Sequence, residues 1–325
     1  MDTAIRAVLE EAFPGREVDA VSEMIGSGHP GNQTVRVRFT DDGQIFLKVR
    51  VDGDTQRNER EVAAIQYARS HCEVRVPSVI AADSMFSPPY LATEPLDGTP
   101  IIEDWEEESQ REAVALDIGR TVAGITTARF DTHGWITGGS GSQLDYEPGE
   151  WNAVLADAIE RDATEVEYPE RFKDVPSRVT DLIRDSADIL NDASSTLVHH
   201  DVHPDNVFRN HRPGVIDWEW TLIGDPGLCL CWGEEWIADR ADVTGSDKKR
   251  LRTAVREGYR EHAGELPRGF DRRRPIYQVV TFLPKARTFD LWALDAPEGT
   301  ENLAEWVRNE LDDRVAAAED VATGT

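Results

Sequence analysis

The hydrophobic period along this chain is helical at its start, two-residue over most of the first ninety-odd positions, and helical again afterwards. Ile5, Val8, Leu9 and Phe13 fall on one face of a helix that Asp2 can cap and Pro14-Gly15 closes. A strand is expected near Val18–Ile25, ahead of the glycine-rich segment Gly26-Ser27-Gly28-His29-Pro30-Gly31-Asn32. Val35, Val37 and Phe39 then alternate, Asp41-Asp42-Gly43 turns the chain, and Ile45, Leu47, Val49 and Val51 alternate again. Successive strand residues leave opposite faces, so this hairpin has an aliphatic face and carries Lys48 on the other. A helix over Arg57–Arg69 follows, with Val62, Ile65 and Ala64 or Ala68 as its apolar stripe. Pro77–Ala81 and Tyr90–Thr93 read as two more strands.

From Glu106 onward the pattern is helical. Helices are expected near 109–128, 150–163, 176–191, 228–239, 246–263, 273–290 and 300–318, interrupted only by a hairpin-like element around 197–217. Gly138–Ser142 reads as a small-residue loop. The chain therefore divides into a β-rich part with one inserted helix, residues 1–97, and a mainly helical part, residues 98–325, joined near Asp97-Gly98.

Composition narrows the function. With 39% hydrophobic residues and 9 tryptophans, the chain can bury a substantial core. Its formal net charge is -27, and lysine is confined to Lys48, Lys173, Lys248, Lys249 and Lys285. The acids are spread along the whole chain, which favours adaptation to a high-salt cytoplasm over a tail for cationic partners. Without a basic stripe, no nucleic-acid partner is expected. Cys72, Cys229 and Cys231 make no disulfide framework. No apolar run approaches membrane-spanning length and no leader is visible, so a cytoplasmic protein without a membrane partner is expected. Nothing in the pattern sets the oligomeric state.

The chemistry concentrates in His199–Asp217, where Pro204 and Pro213-Gly214 punctuate short apolar pieces into strand, loop, strand, turn and strand. Phosphoryl transfer from ATP needs a backbone loop over the phosphates, a lysine on them, oxygen ligands for Mg²⁺, and an aspartate for the hydroxyl proton. Asp201 and Asn206 have the Asp-x-x-x-x-Asn spacing of a kinase catalytic loop. Asp217 ends the next strand, where a charged Mg²⁺ ligand belongs. Lys48 follows the Gly26-Ser27-Gly28 segment on a strand, and Glu61 on the next helix is its expected partner, with Glu59 as the rival.

These residues carry a resemblance. His199-His200-Asp201-Val202-His203-Pro204-Asp205-Asn206, then Ile216-Asp217-Trp218-Glu219, then Gly224-Asp225-Pro226 resembles the catalytic segment of the aminoglycoside phosphotransferase and choline kinase superfamily. A looser likeness in register spans Ile25–Gly98. The resemblance implies an α+β, protein-kinase-like fold of two lobes. It also implies an ATP adenine held by backbone near Glu94 and Leu96, Asp201 as catalytic base, Asn206 and Asp217 on Mg²⁺, and a small-molecule hydroxyl as phosphate acceptor. Two positions depart from the family pattern: His200 stands where the family has glycine, and Cys229-Leu230 where it has Asp-Leu.

Other readings stay open at this point. The same residues suit an ATP-binding regulatory protein without turnover. His199, His200 and His203 with Asp201 and Asp205 suit a metallohydrolase. Trp218 and Trp220 read as core or as a substrate platform, and Cys229-x-Cys231 as packing. Trp232 and Trp236, four apart on a helix, read as core or as a stacking wall for a sugar or quaternary amine.

Overall fold

The computed structural model describes residues 2–23, 31–240, 243–294 and 296–323. Helix α1 (Thr3–Ala12) starts at Asp2, whose carboxylate accepts the Ala4 N–H at 2.7 Å. Strands β1 (Val18–Glu23), β2 (Asn32–Phe39) and β3 (Gln44–Arg50) precede α2 (Thr55–His71), and β4 (Val79–Asp83) and β5 (Tyr90–Thr93) follow it. The strands form one antiparallel sheet ordered β1-β2-β3-β5-β4. Val35, Val37, Ile45, Leu47 and Val49 bury in one cluster with Ile5, Val8 and Leu9 of α1. Lys48, out of phase with them, leaves the other face.

Helix α2 does not close this small core. Its Ala64, Ile65 and Ala68 belong to the larger cluster that also holds Val122, Trp135 and Ile136. The helix belongs to the first part by sequence but is bound to the second by burial.

That second part runs β6 (Thr99–Pro100), α3 (Arg111–Ile125), β7 (His133–Ser140), β8 (Gln143–Gly149), α4 (Trp151–Glu165), α5 (Val175–Asp185) and α6 (Ala187–Leu190). Four short strands follow: β9 (Thr196–Val198), β10 (Val207–Arg209), β11 (Gly214–Val215) and β12 (Leu222–Gly224). Helices α7 (Pro226–Ala238), α8 (Gly245–Ala263), α9 (Phe270–Arg287), α10 (Phe289–Trp292) and α11 (Thr300–Thr323) complete it. Helices α3 and α8 touch through their backbones. A Cβ on Gly119 would lie 1.9 Å from the Val255 carbonyl oxygen, and one on Gly258 2.0 Å from that of Leu116. Among the described residues no helix is long and apolar enough to cross a membrane.

The α+β architecture is as expected, with three local corrections. The expected helix over 176–191 breaks at Ser186 into α5 and α6, and that over 273–290 breaks at Thr288. Residues 133–149 form a hairpin, β7–β8, in a region expected to hold only helices and a loop. Its first strand contains Gly134, Gly138 and Gly139, which erase the two-residue pattern. The small-residue loop is its turn, with Gly141 at φ +58°. Tertiary contacts hold the hairpin against α2: the Arg60 guanidinium lies 4.3 Å from the Trp135 ring centroid, and Gly141 N–H donates to Gln66 Oε1 at 3.1 Å.

Two small sheets position the chemistry. One is ordered β8-β7-β12-β9 and the other β11-β10-β6. Residues 199–206 leave β9 for β10, and residues 216–221 leave β11 for β12, so the two loops cross side by side between the same sheets.

Candidate active site

The crossings are bonded together. His199 Nε2–H donates to the Ile216 carbonyl at 3.0 Å, and Ile216 N–H donates to the Asn206 carbonyl at 3.0 Å. The His199 ring stands edge-on to Trp218 at 4.7 Å, and burial pushes its pKa down to about 4. It is a neutral strut. Asn206 Nδ2 donates to Asp201 Oδ2 at 3.1 Å and to the Asp201 carbonyl at 3.2 Å, which leaves the amide oxygen for another partner. Burial, reinforced by the charge of Asp217, pushes the Asp201 carboxyl up to about 6.

Asp217 takes a left-handed backbone, φ +64°, and so turns its carboxylate out of the strand direction. Its Oδ1 accepts from Lys48 Nζ at 2.7 Å, and Lys48 also donates to Glu61 Oε1 at 2.9 Å. Glu61 is buried while Glu59 is exposed, so Glu61 is the partner of Lys48. Burial works against the Lys48 ammonium, yet Asp217, Glu219 and Glu61 outweigh it and raise its pKa. Asp217 Oδ2 has no hydrogen-bond partner among the described residues, and the side chain is about one-third exposed, 34%. A hard cation bound by few protein oxygens fits this Asp217 oxygen and the free Asn206 amide oxygen.

The three histidines do not converge. His200 sits edge-on to Trp232 at 5.2 Å, and His203 edge-on to Trp236 at 4.4 Å with its Nδ1 3.0 Å from Asp205. Among the described residues no group of three histidine, cysteine, aspartate or glutamate side chains is gathered to hold a metal. The geometry therefore argues against the metallohydrolase. His200 has φ +66° and is half-buried, and desolvation of its ring pushes its pKa down to about 3, so it adds no cation beside the phosphate site. Cys229, buried on α7, meets the backbone of His199 and His200 with its thiol, and burial pushes its pKa up to about 12. Trp218 is fully buried, while Trp220 is half-buried with the Arg287 guanidinium 5.5 Å from its ring.

The remaining expected contacts divide. Gly26, Ser27 and Gly28 lie outside the described residues. Glu94 N–H is committed to the Ser78 carbonyl at 2.9 Å, whereas Leu96 N–H has no partner among the described residues. Asp225, from the Gly-Asp-Pro motif, is structural. It is fully buried, caps α7 by accepting the Gly227 N–H at 2.8 Å, and accepts from Arg273 and Tyr277 at 2.6 Å each. The buried acids of α7 are each met by two bases: Glu234 by Arg256 and Arg274, and Glu235 by Lys285 and Arg314.

A model of the phosphotransferase enzyme family matches residues 27–276, a span that contains Lys48, Glu61, Asp201, Asn206 and Asp217. The chain belongs to that family. Membership carries the reaction type, ATP-dependent phosphoryl transfer to a small molecule. No curated protein is significantly similar in sequence. Solved structures share the fold at low identity. A protein described as a fructosamine-3-kinase from Thermobifida fusca is 22% identical, with 98% of each chain covered and a TM-score of 0.59. A thermostable mutant of aminoglycoside phosphotransferase APH(4)-Ia, in ternary complex with AMP-PNP and hygromycin B, is 16% identical, with 99% of this chain and 100% of that one covered and a TM-score of 0.62. Macrolide 2'-phosphotransferase MphH from Brachybacterium faecium is 16% identical, covering 94% and 98%, with a TM-score of 0.56.

Two residues beside this phosphotransferase's candidate site, Arg50 and Glu219, had no role assigned from the sequence. Arg50 is fully buried and reaches Glu61 and Glu219, and Glu219 Oε2 stands 3.5 Å from Lys48 Nζ. The available signal was phase: Arg50 is two positions past Lys48, hence on the same strand face.

Proposed function

We propose that this phosphotransferase moves the γ-phosphoryl group of ATP to a hydroxyl of a small molecule, with Asp201 as the base. The observation that carries the reading is the place of Asp217: it holds Lys48 of the Lys48–Glu61 pair at 2.7 Å, its neighbour Ile216 is hydrogen-bonded to the Asn206 backbone, and its charge acts on Asp201. Asp201 accepts the acceptor's proton as the hydroxyl oxygen takes the phosphoryl group, and its raised pKa suits a proton acceptor working near neutrality. Lys48 offsets charge on the phosphates. Asn206 and Asp217 would hold Mg²⁺, which when bound neutralises phosphate charge and orients the transferring group. Leu96 N–H and the Glu94 carbonyl would meet the adenine edge, with the two parts of the chain hinged near Asp97-Gly98. The Gly26-Ser27-Gly28 segment would cover the phosphates.

The acceptor enters from the helical part. There a cavity of about 460 Å³, lined by Tyr168, Lys173, Arg287 and Leu291 among others, shares Arg287 with Trp220, three residues past Asp217. Relatives that act on an aminoglycoside or a macrolide, by their names, make hydroxylated sugars and amino sugars the first acceptors to try.

The test is ADP release with Mg·ATP across amino sugars, sugars, amino alcohols and nucleosides, at high and low salt. Acceptor-dependent release is expected. Tight nucleotide binding with background release across the panel would instead support a regulatory protein without turnover.

A further inference from the structure

Arg50 has no exposed surface and shares a strand face with Lys48. Its Nη1 donates to Glu219 Oε2 at 2.6 Å and to Asn32 Oδ1 at 2.5 Å, while its Nη2 donates to Glu61 Oε2. Asn32 closes the ring, its Nδ2 donating to the same Glu219 oxygen at 2.9 Å. One guanidinium thereby joins the head of β2, strand β3, helix α2 and the segment that follows Asp217.

Lys48 and Arg50 together face three carboxylates, Glu61, Asp217 and Glu219. Lys48 lies 2.7 Å from Asp217 and 3.5 Å from Glu219. Were Arg50 missing, Lys48 would be the cation nearest the Glu219 carboxylate. An unpaired buried carboxylate is costly, so the ammonium would be drawn off Asp217 toward Glu219. Arg60 does not substitute, since its Nε donates to the Glu219 backbone carbonyl at 3.0 Å and its guanidinium lies over Trp135.

We propose that Arg50 is a positioning residue: by holding Glu219 and Glu61 at once, it frees Lys48 for the nucleotide phosphates and keeps Asp217 beside it. The inference rests on the nucleotide-binding reading above and assigns a role to a pair that touches no substrate. Its signature is rescue, because deleting both buried charges leaves no ion unpaired.

The experiment measures Mg·ATP affinity by calorimetry and thermal unfolding for the full-length wild type, R50M, R50K, E219Q and the double variant R50M/E219Q. R50M is expected to weaken binding about tenfold or more, and the double variant to return within about threefold of wild type. R50K keeps the charge but spans one carboxylate, so it is expected to weaken binding about threefold and covers the case in which R50M does not fold. Wild-type affinity in R50M or R50K overturns the role, as does a double variant that binds no better than R50M. A wild type that binds no Mg·ATP defeats the inference and the proposed function together. Binding and rescue without turnover on any acceptor would defeat only the latter.

Discussion

Lys48 Nζ lies 2.7 Å from Asp217 Oδ1 although 169 residues separate them along the chain. The contact joins the strand sheet of the first part to a crossing loop of the second. Replacing Lys48 with methionine removes the donor to the phosphates and leaves Asp217 without its cation. Turnover is expected to fall by about 10² to 10³ with weaker Mg·ATP binding, in steady-state and binding measurements. Unchanged kinetics would dissociate this pair from phosphate binding.

Asp201→Asn separates binding from chemistry. The amide keeps the shape and the Asn206 contact but cannot accept a proton. Turnover is expected to drop to background while Mg·ATP affinity stays near wild type. Wild-type turnover on a true substrate would show that Asp201 is not the base.

The same carboxylate sets an acid limb. Its pKa is raised to about 6, and the ionised form is the one that accepts the proton. Below that pH the group is protonated, so kcat/KM is expected to fall about tenfold per pH unit, with a plateau above it. A profile flat from pH 7 down to pH 5 would remove Asp201 from the proton transfer.

His200 offers a test of backbone strain. At φ +66° an L-residue with a Cβ carries a steric penalty that glycine escapes, and the packing of its ring on Trp232 compensates. Alanine loses the ring and keeps the penalty, whereas glycine loses both. His200→Gly is therefore expected to be more stable than His200→Ala by about 1–2 kcal/mol in denaturant unfolding. Equal stabilities would mean that the left-handed conformation costs nothing here.

Gly258→Ala probes the contact between α3 and α8. Helix propensity alone favours alanine by about 1 kcal/mol. The new methyl would stand 2.0 Å from the Leu116 carbonyl oxygen, so the variant is expected to lose about 2 kcal/mol or more. A rise in the unfolding midpoint would show that the helices can part at little cost.

The hairpin β2–β3 and the helices α1 and α8 were legible because one buried face imprints its period on consecutive residues. Hairpin β7–β8 was not. Three glycines blur its pattern, and what secures it, Arg60 over Trp135 and Gln66 on Gly141, comes from a helix some seventy positions away.

The site divides on the same line. Asp201, Asn206 and Asp217 could be read in one dimension, since a single loop-strand-turn segment carries them at set spacing. That spacing also nominated the histidines as a cluster, and only packing sends them apart, onto Trp218, Trp232 and Trp236. The choice of Glu61 over Glu59 needed burial, because both sit on one helix and only one side turns inward. The Arg50–Glu219 bridge needed the folded chain altogether. Phase and motif can nominate Arg50 and Glu219 singly, but nothing in one dimension pairs residues 169 positions apart, and the pair exists only once desolvation makes each charge depend on the other.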